Sequence, residues 1–229
     1  MTLEKDIPIT VDGASSLYTD MDDLSYVKSA ESSENNFENL SGRILTFNHA
    51  DFPWRNISIQ ENDTPVYVAD ISAFTPNKPD IILHSRTENG PVVGQAHFRW
   101  SLSIKAGVGP NDVSMYWTNM KRGGVLHRNY TFEYRGRIYS LRRTHSTHNG
   151  VAPHQRAMFS HMKVVDEASK EVIAVYVSTL TVKKRRGTIT FAQGVSPELE
   201  VLCIMGFAAW REKIARAGGR SSGGAGGWS

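Results

Sequence analysis

Four consecutive cations, Lys183-Lys184-Arg185-Arg186, form the longest run of like charge in the chain. Near an anionic membrane each Lys or Arg contributes about 1 kcal/mol, so the run could supply roughly 4 kcal/mol of recruitment. The same composition also reads as a nuclear-import signal, or as charge that keeps a turn soluble and an edge unpaired. A second polar stretch, Arg142-Arg143-Thr144-His145-Ser146-Thr147-His148-Asn149-Gly150, continues toward His154, Arg156 and His161. Arg142 and Arg143 could grip a phosphate or carboxylate in bidentate fashion, but alternation along a strand would send them to opposite faces. His145, His148 and His154 have a spacing that a metal could use if the loop folded back. No carboxylate or cysteine lies between Tyr139 and Met162 to complete a zinc set. An anion pocket and a plain surface loop stand as the other readings of this stretch.

Other chemistries lack their residues. The chain has no Gly-x-Ser-x-Gly, no His-Glu-x-x-His, no phosphate-cradling glycine loop and no motif of paired carboxylates. No cofactor or metal is implied. Cys203, the single cysteine, lies in an apolar run where the thiolate is disfavoured, so it reads as a core residue. Trp100, Tyr116, Trp117, Tyr130, Phe132, Tyr134 and Tyr139, interleaved with Arg128, Arg135 and Arg137, could form a stacking platform for single-stranded nucleic acid. No RNP-like or oligonucleotide-barrel pattern accompanies these rings, so packing within a core is expected, and nucleic acid is not the expected partner.

Charge is divided unevenly. Residues 1–42 hold nine acids against Lys5 and Lys28, a net of −7; with +3 overall, residues 43–229 carry +10. The arm is rich in Ser, Asp, Glu and Asn without a helix or strand period, so 1–42 is expected to be disordered. It could lie on the basic body and weaken its binding. The first residues, Met-Thr-Leu-Glu-Lys-Asp, lack the features of a secretory signal, which makes a cytoplasmic, peripheral-membrane or nuclear location the expectation. On that account the sequons at Asn39, Asn56, Asn62 and Asn129 are incidental.

The elements that would position these residues follow from periodicity. Short runs alternate with a period near two over 43–49, 56–60, 65–70, 80–86, 92–104 (one strand or two), 113–119, 124–134, 136–144, 158–165, 171–181 and 187–192. Turn residues separate them, and Lys183 to Gly187 is itself read as a hairpin turn. Eleven or twelve strands at this spacing imply a barrel or sandwich. One helix closes the chain over 197–217, with Ser196 as N-cap and Pro197 in its first turn. From Val201 to Trp210 it carries no charge or side-chain amide. Being apolar all round, it must be buried on every side, yet its roughly 15 Å is half of a bilayer core. A mainly β fold follows: a closed antiparallel barrel of about twelve strands wrapped around a hydrophobic C-terminal helix. Residues 218–229 read as a flexible Gly/Ser tail.

This order of elements resembles the tubby C-terminal fold, which the LURP-one-related proteins of plants and fungi and the phospholipid scramblases share. The residues that carry the resemblance are the turn and strand Asp166 to Thr181, the basic hairpin and strand Lys183 to Phe191, and Ser196 to Arg211. Tubby domains bind phosphoinositide headgroups, whereas LURP-one-related members mostly have no established activity. Together with the +10 body and the basic Lys183–Arg186 run, the resemblance leads to the expectation of a non-enzymatic domain that docks on anionic phospholipid headgroups or an acidic protein partner. Lys184 and Arg186 resemble tubby's Lys-x-Arg lipid-binding pair in type but stand on a different part of the domain, so that site is not carried over. No acidic ligand cluster of the scramblase kind accompanies the helix. The anion-binding candidates are therefore Lys183, Lys184, Arg185, Arg186, Arg142 and Arg143, and the rival is a pocket enzyme or small-ligand carrier built on the Arg142–His161 region.

Overall fold

The computed structural model describes residues 40, 42–49, 56–72, 78–99, 103–110, 113–123, 129–147, 151, 161–181 and 184–221. All belong to one unit, Glu34–Ser229. The acidic arm (apart from residues 40 and 42), Lys183, His148, His154 and residues 222–229 lie outside the described residues.

Twelve antiparallel strands run β1 (Ile44–His49), β2 (Asn56–Glu61), β3 (Thr64–Ile71), β4 (Ile81–Ser85), β5 (Val92–Phe98), β6 (Ile104–Val108), β7 (Tyr116–Gly123), β8 (Asn129–Tyr134), β9 (Arg137–Arg143), β10 (Met162–Asp166), β11 (Val172–Thr181) and β12 (Lys184–Phe191). Each pairs with its neighbour in sequence, and β12 returns to pair with β1, closing a barrel without free edges. Alternation fills the interior: Leu45, Phe47, Ile57, Ile59, Ile81, Leu83, Ile104, Met120, Tyr130, Leu141, Tyr176 and Ile189 all face one core.

The closing helix, α1 (Pro197–Ser221), occupies that interior. Ser196 caps it by accepting the Leu199 amide hydrogen at 3.3 Å. Every residue from Val201 to Trp210 is buried, as an apolar-all-round sequence requires. The helix meets opposite sides of the wall. Phe207 stacks on Tyr176 of β11 with ring centroids 5.6 Å apart, and a Cβ on Gly206 would come within 3.3 Å of Leu141 of β9. A Cβ on Gly94 of β5 would meet Val201 at 3.0 Å, so glycine there lets helix and sheet approach closely.

Some details differ from the sequence reading, two of them at the ends of elements that matter for the site. The helix runs to Ser221, so Gly218 and Gly219 lie within its last turns; glycine costs about 1 kcal/mol in a helix without forbidding it. The backbone of Lys184, Arg185 and Arg186 is strand, paired with Thr181, Leu180 and Thr179. The hairpin connection between β11 and β12 is thus two residues long, where the run Lys183 to Gly187 reads as a turn. A long β11 extends the ladder past the point where the charges suggest a turn.

Candidate functional site: the cationic mouth of the barrel

Antiparallel order gives the barrel two unlike ends. Odd-numbered strands start at one end, where the connections include the tight turns at 62–63 and 135–136 and where α1 enters. Arg135 and Gly136 there both have positive φ (49° and 75°), the primed hairpin geometry that follows strand twist. The same strands finish at the other end, where connections reach eighteen residues (144–161) and where α1 leaves. We call these the turn end and the loop end.

Strand direction places the candidate cations together. Arg142 and Arg143 close β9, and Lys184 to Arg186 open β12, so all five belong to the loop end. Alternation then separates the arginine pair as expected. Arg143 shares a face with Tyr139 and Leu141, which are core residues, while Arg142 is on the outer wall. Burial works to raise the Glu167 carboxyl, but hydrogen bonds from Lys170 and Ser140, with the charges of Arg142 and Lys170, hold it below its ordinary range.

Other cations reach the same end from the inside. Arg122 closes β7 on the face of Thr118 and Met120, opposite Tyr130 of β8 in the ladder. Lys213 rises from α1 with Nζ 5.4 Å from the Phe98 ring centre and 5.7 Å from that of Tyr130, and it donates to the Ser103 carbonyl at 3.3 Å. Burial first, and then the Arg122 charge, push the Lys213 amine down to about 8, with Asp80 opposing. Burial likewise raises the Tyr130 phenol, with Arg122 opposing. Arg211 lies 5.6 Å from the Tyr176 ring centre. Arg216 is matched: its guanidinium holds Asp80 at 2.9 Å, Glu212 at 2.6 Å and the Ser72 carbonyl at 2.9 Å. Asp80 also accepts the Phe98 amide hydrogen at 2.7 Å, so its acceptor capacity is largely committed.

The imidazoles do not form a metal site that the structure describes. His161 is fully buried, and its Nδ1 accepts the Ser178 amide hydrogen at 3.2 Å, which ties β10 to β11. Among the described residues, no group of three His, Cys, Asp or Glu is placed to hold a metal ion, and no helix is long and apolar enough to cross a membrane. Cys203 is core: burial pushes its thiol well above the ordinary value, which keeps it protonated.

A cleft of about 630 Å³ opens at the turn end, lined by Tyr134, Arg135, Arg137, Glu171, Ser196 and Leu199 among others. Its charges are nearly matched, since Arg137 pairs with Asp166 at 3.3 Å and Glu171 is on the wall. Arg135 stacks over the Tyr134 ring at 5.2 Å.

The sequence reading does not include Arg122, Arg211 or Lys213 among the site residues, and it reads Tyr130 as a core ring or part of a stacking platform, not as an anion-binding donor. The available signal was parity. Arg122 follows core-facing Met120 by two, and Lys213 follows buried Trp210 by three along the helix. The chain matches no family model, and neither a curated protein nor a solved structure is significantly similar to it.

Proposed function

We propose that this protein is a non-enzymatic tubby-like or LURP-one-related domain that docks on anionic phospholipid through its loop end. One observation carries the reading: strand polarity gathers Arg142, Arg143, Lys184, Arg185 and Arg186 at the end where Arg122, Arg211 and Lys213 of the inner face also emerge. A body of +10 with its cations massed on one end attracts an anionic surface, at about 1 kcal/mol per basic residue close to it. An interior filled by α1 supports a binding domain over a pocket enzyme, because catalysis within a barrel needs volume that these side chains occupy.

Co-sedimentation with phosphatidylcholine vesicles, with and without anionic lipid, tests the reading. The chain should pellet with anionic vesicles alone, weaken as salt rises, and lose most binding when Lys183, Lys184, Arg185 and Arg186 are all changed to Ser. Binding unaffected by that change would sink the membrane reading and leave an acidic protein surface as the partner of this end.

A further inference from the structure

Within the mouth stands a group of donors distinct from the outer basic surface. Tyr130 is 0% exposed, and its hydroxyl has no hydrogen-bond partner among the described residues. The same holds for Nε1 of Trp210, which is 2% exposed, and for the buried Nε of Arg122. Trp210 precedes Lys213 by three, so both lie on one helix face, and Lys213 senses the charge of Arg122. A buried donor left unmet is unfavourable, and native structures meet nearly all of them. Asp80, the acid whose field reaches Lys213, is already held by Arg216 and the Phe98 amide.

Arg122 stands across the β7–β8 ladder from Tyr130, the Lys213 amine is 5.7 Å from the Tyr130 ring centre, and Trp210 is one helical turn before Lys213. Two cations and two neutral donors near one barrel end suit a compact oxyanion with several acceptor lone pairs. We propose that Arg122, Tyr130, Trp210 and Lys213 form an inner site for a phosphate group. The cations supply charge, and the phenol and indole N–H supply directed hydrogen bonds. This site does not depend on the Lys183–Arg186 run, so it stands or falls apart from the membrane reading. Its phosphate has two sources, a free phosphate monoester or a lipid headgroup that carries one.

The test titrates the full chain by calorimetry with inorganic phosphate and with glycerol 3-phosphate, up to about 10 mM. In parallel, phosphatidylcholine vesicles with and without phosphatidic acid are sedimented. Tyr130→Phe removes one oxygen without opening the core, Arg122→Gln keeps a polar chain at a strand end, and Lys213→Met keeps bulk on the helix. Each should weaken phosphate about tenfold, as loss of a hydrogen bond to a charged group does. Thermal unfolding confirms that the variants fold, and Arg135→Ala, at the far end, should bind phosphate unchanged.

Above about pH 8 the phosphate ligands are already dianionic, so raising pH from 8 to 9.5 should weaken binding as Lys213 loses its proton, and Lys213→Met should flatten that profile. The groups around the amine are Arg122, Tyr130 and Asp80 from the wall, with Arg211, Glu212 and Arg216 on its own helix. Of these, burial pushes Tyr130 further above the window. If the three variants also lose phosphatidic-acid vesicles, the headgroup is the source. If only the soluble ligands are lost, the site takes a free phosphate and the outer cations alone hold the membrane. Absence of phosphate binding, or wild-type affinity in all three variants, overturns the proposal.

Discussion

The two ends of the barrel hold charge differently. At the turn end cations meet carboxylates: Arg43 bridges Glu61 at 2.9 Å and Glu200 at 2.8 Å, Arg137 meets Asp166, and Lys170 meets Glu167 at 2.7 Å. The Arg43 guanidinium is raised above its ordinary value, chiefly by Glu61, against burial and with help from Glu200. At the loop end Arg216 and Lys78 also have carboxylates, Asp80 and Asp70, but the charge of Arg122 reaches Lys213 and works against its protonated form. One end is built to hold the helix; the other keeps cations close at a cost in stability, which is how binding sites commonly differ from the scaffold around them.

The helix that joins the two ends sets the largest effect. Phe207 is fully buried and stacked on Tyr176, which itself meets Phe47 at 5.6 Å, so Phe207→Ala opens a cavity in the middle of the barrel. The expected loss is about 3–5 kcal/mol, read by denaturant unfolding. A loss under ~1 kcal/mol would mean that helix and wall are not packed as one core.

Removing a cation should then have opposite signs at the two ends. Arg43→Met strands Glu200, whose side chain is only 10% exposed, without its counter-charge. Stability should fall by about 2 kcal/mol, less than for a fully buried pair because Arg43 is partly solvated, with phosphate affinity unchanged. Lys213→Met should instead stabilise the fold at pH 7, by about 1 kcal/mol once solvent screening is allowed for. The Lys213 amine titrates near 8 when folded and near its ordinary 10.5 when unfolded. Between those values the unfolded chain binds more protons, so stability rises with pH across that window. Below pH 8 both states are charged and the penalty is fully present. The advantage of Lys213→Met should therefore shrink between pH 8 and 10.5, as thermal unfolding across that range would reveal. An advantage that stays flat with pH would assign the effect to packing.

Architecture was far more legible in the sequence than the site. Val201 to Trp210 named its own environment, because no surface position tolerates an apolar run on all faces, and strands such as Val172–Thr181 declared themselves by β-branched content. The failures were local. Ile104-Lys-Ala-Gly-Val108 is a strand, but Gly107 and Gly109 give it the look of a turn. Lys184 to Arg186 looked like a turn because charge and strand pairing are independent properties. Parity could mark the mouth's residues one by one as inward-facing, but only closure brings them together. Arg122, Tyr130 and Lys213 are modest residues on three elements, and only the β1–β12 pairing and the buried helix bring them to one end. Arg142 and Arg143, conspicuous as a pair, end on opposite faces for the reason that alternation gave.

The smallest expected effect concerns the acidic arm, which carries −7 against the +10 of the body. If its charge competes for the loop end, a chain lacking residues 1–39 should bind anionic vesicles about two- to fivefold more tightly at low ionic strength, and the gain should vanish as salt shortens the screening length toward 3 Å at 1 M. The turn end supplies the control, because Arg137 there already has a carboxylate partner in Asp166. Arg137→Ala should leave vesicle binding of both the full and shortened chains as it was. Equal vesicle binding with and without the arm at low salt would show that its acids do not reach the mouth, and the charge division along the chain would then carry no regulation of this end.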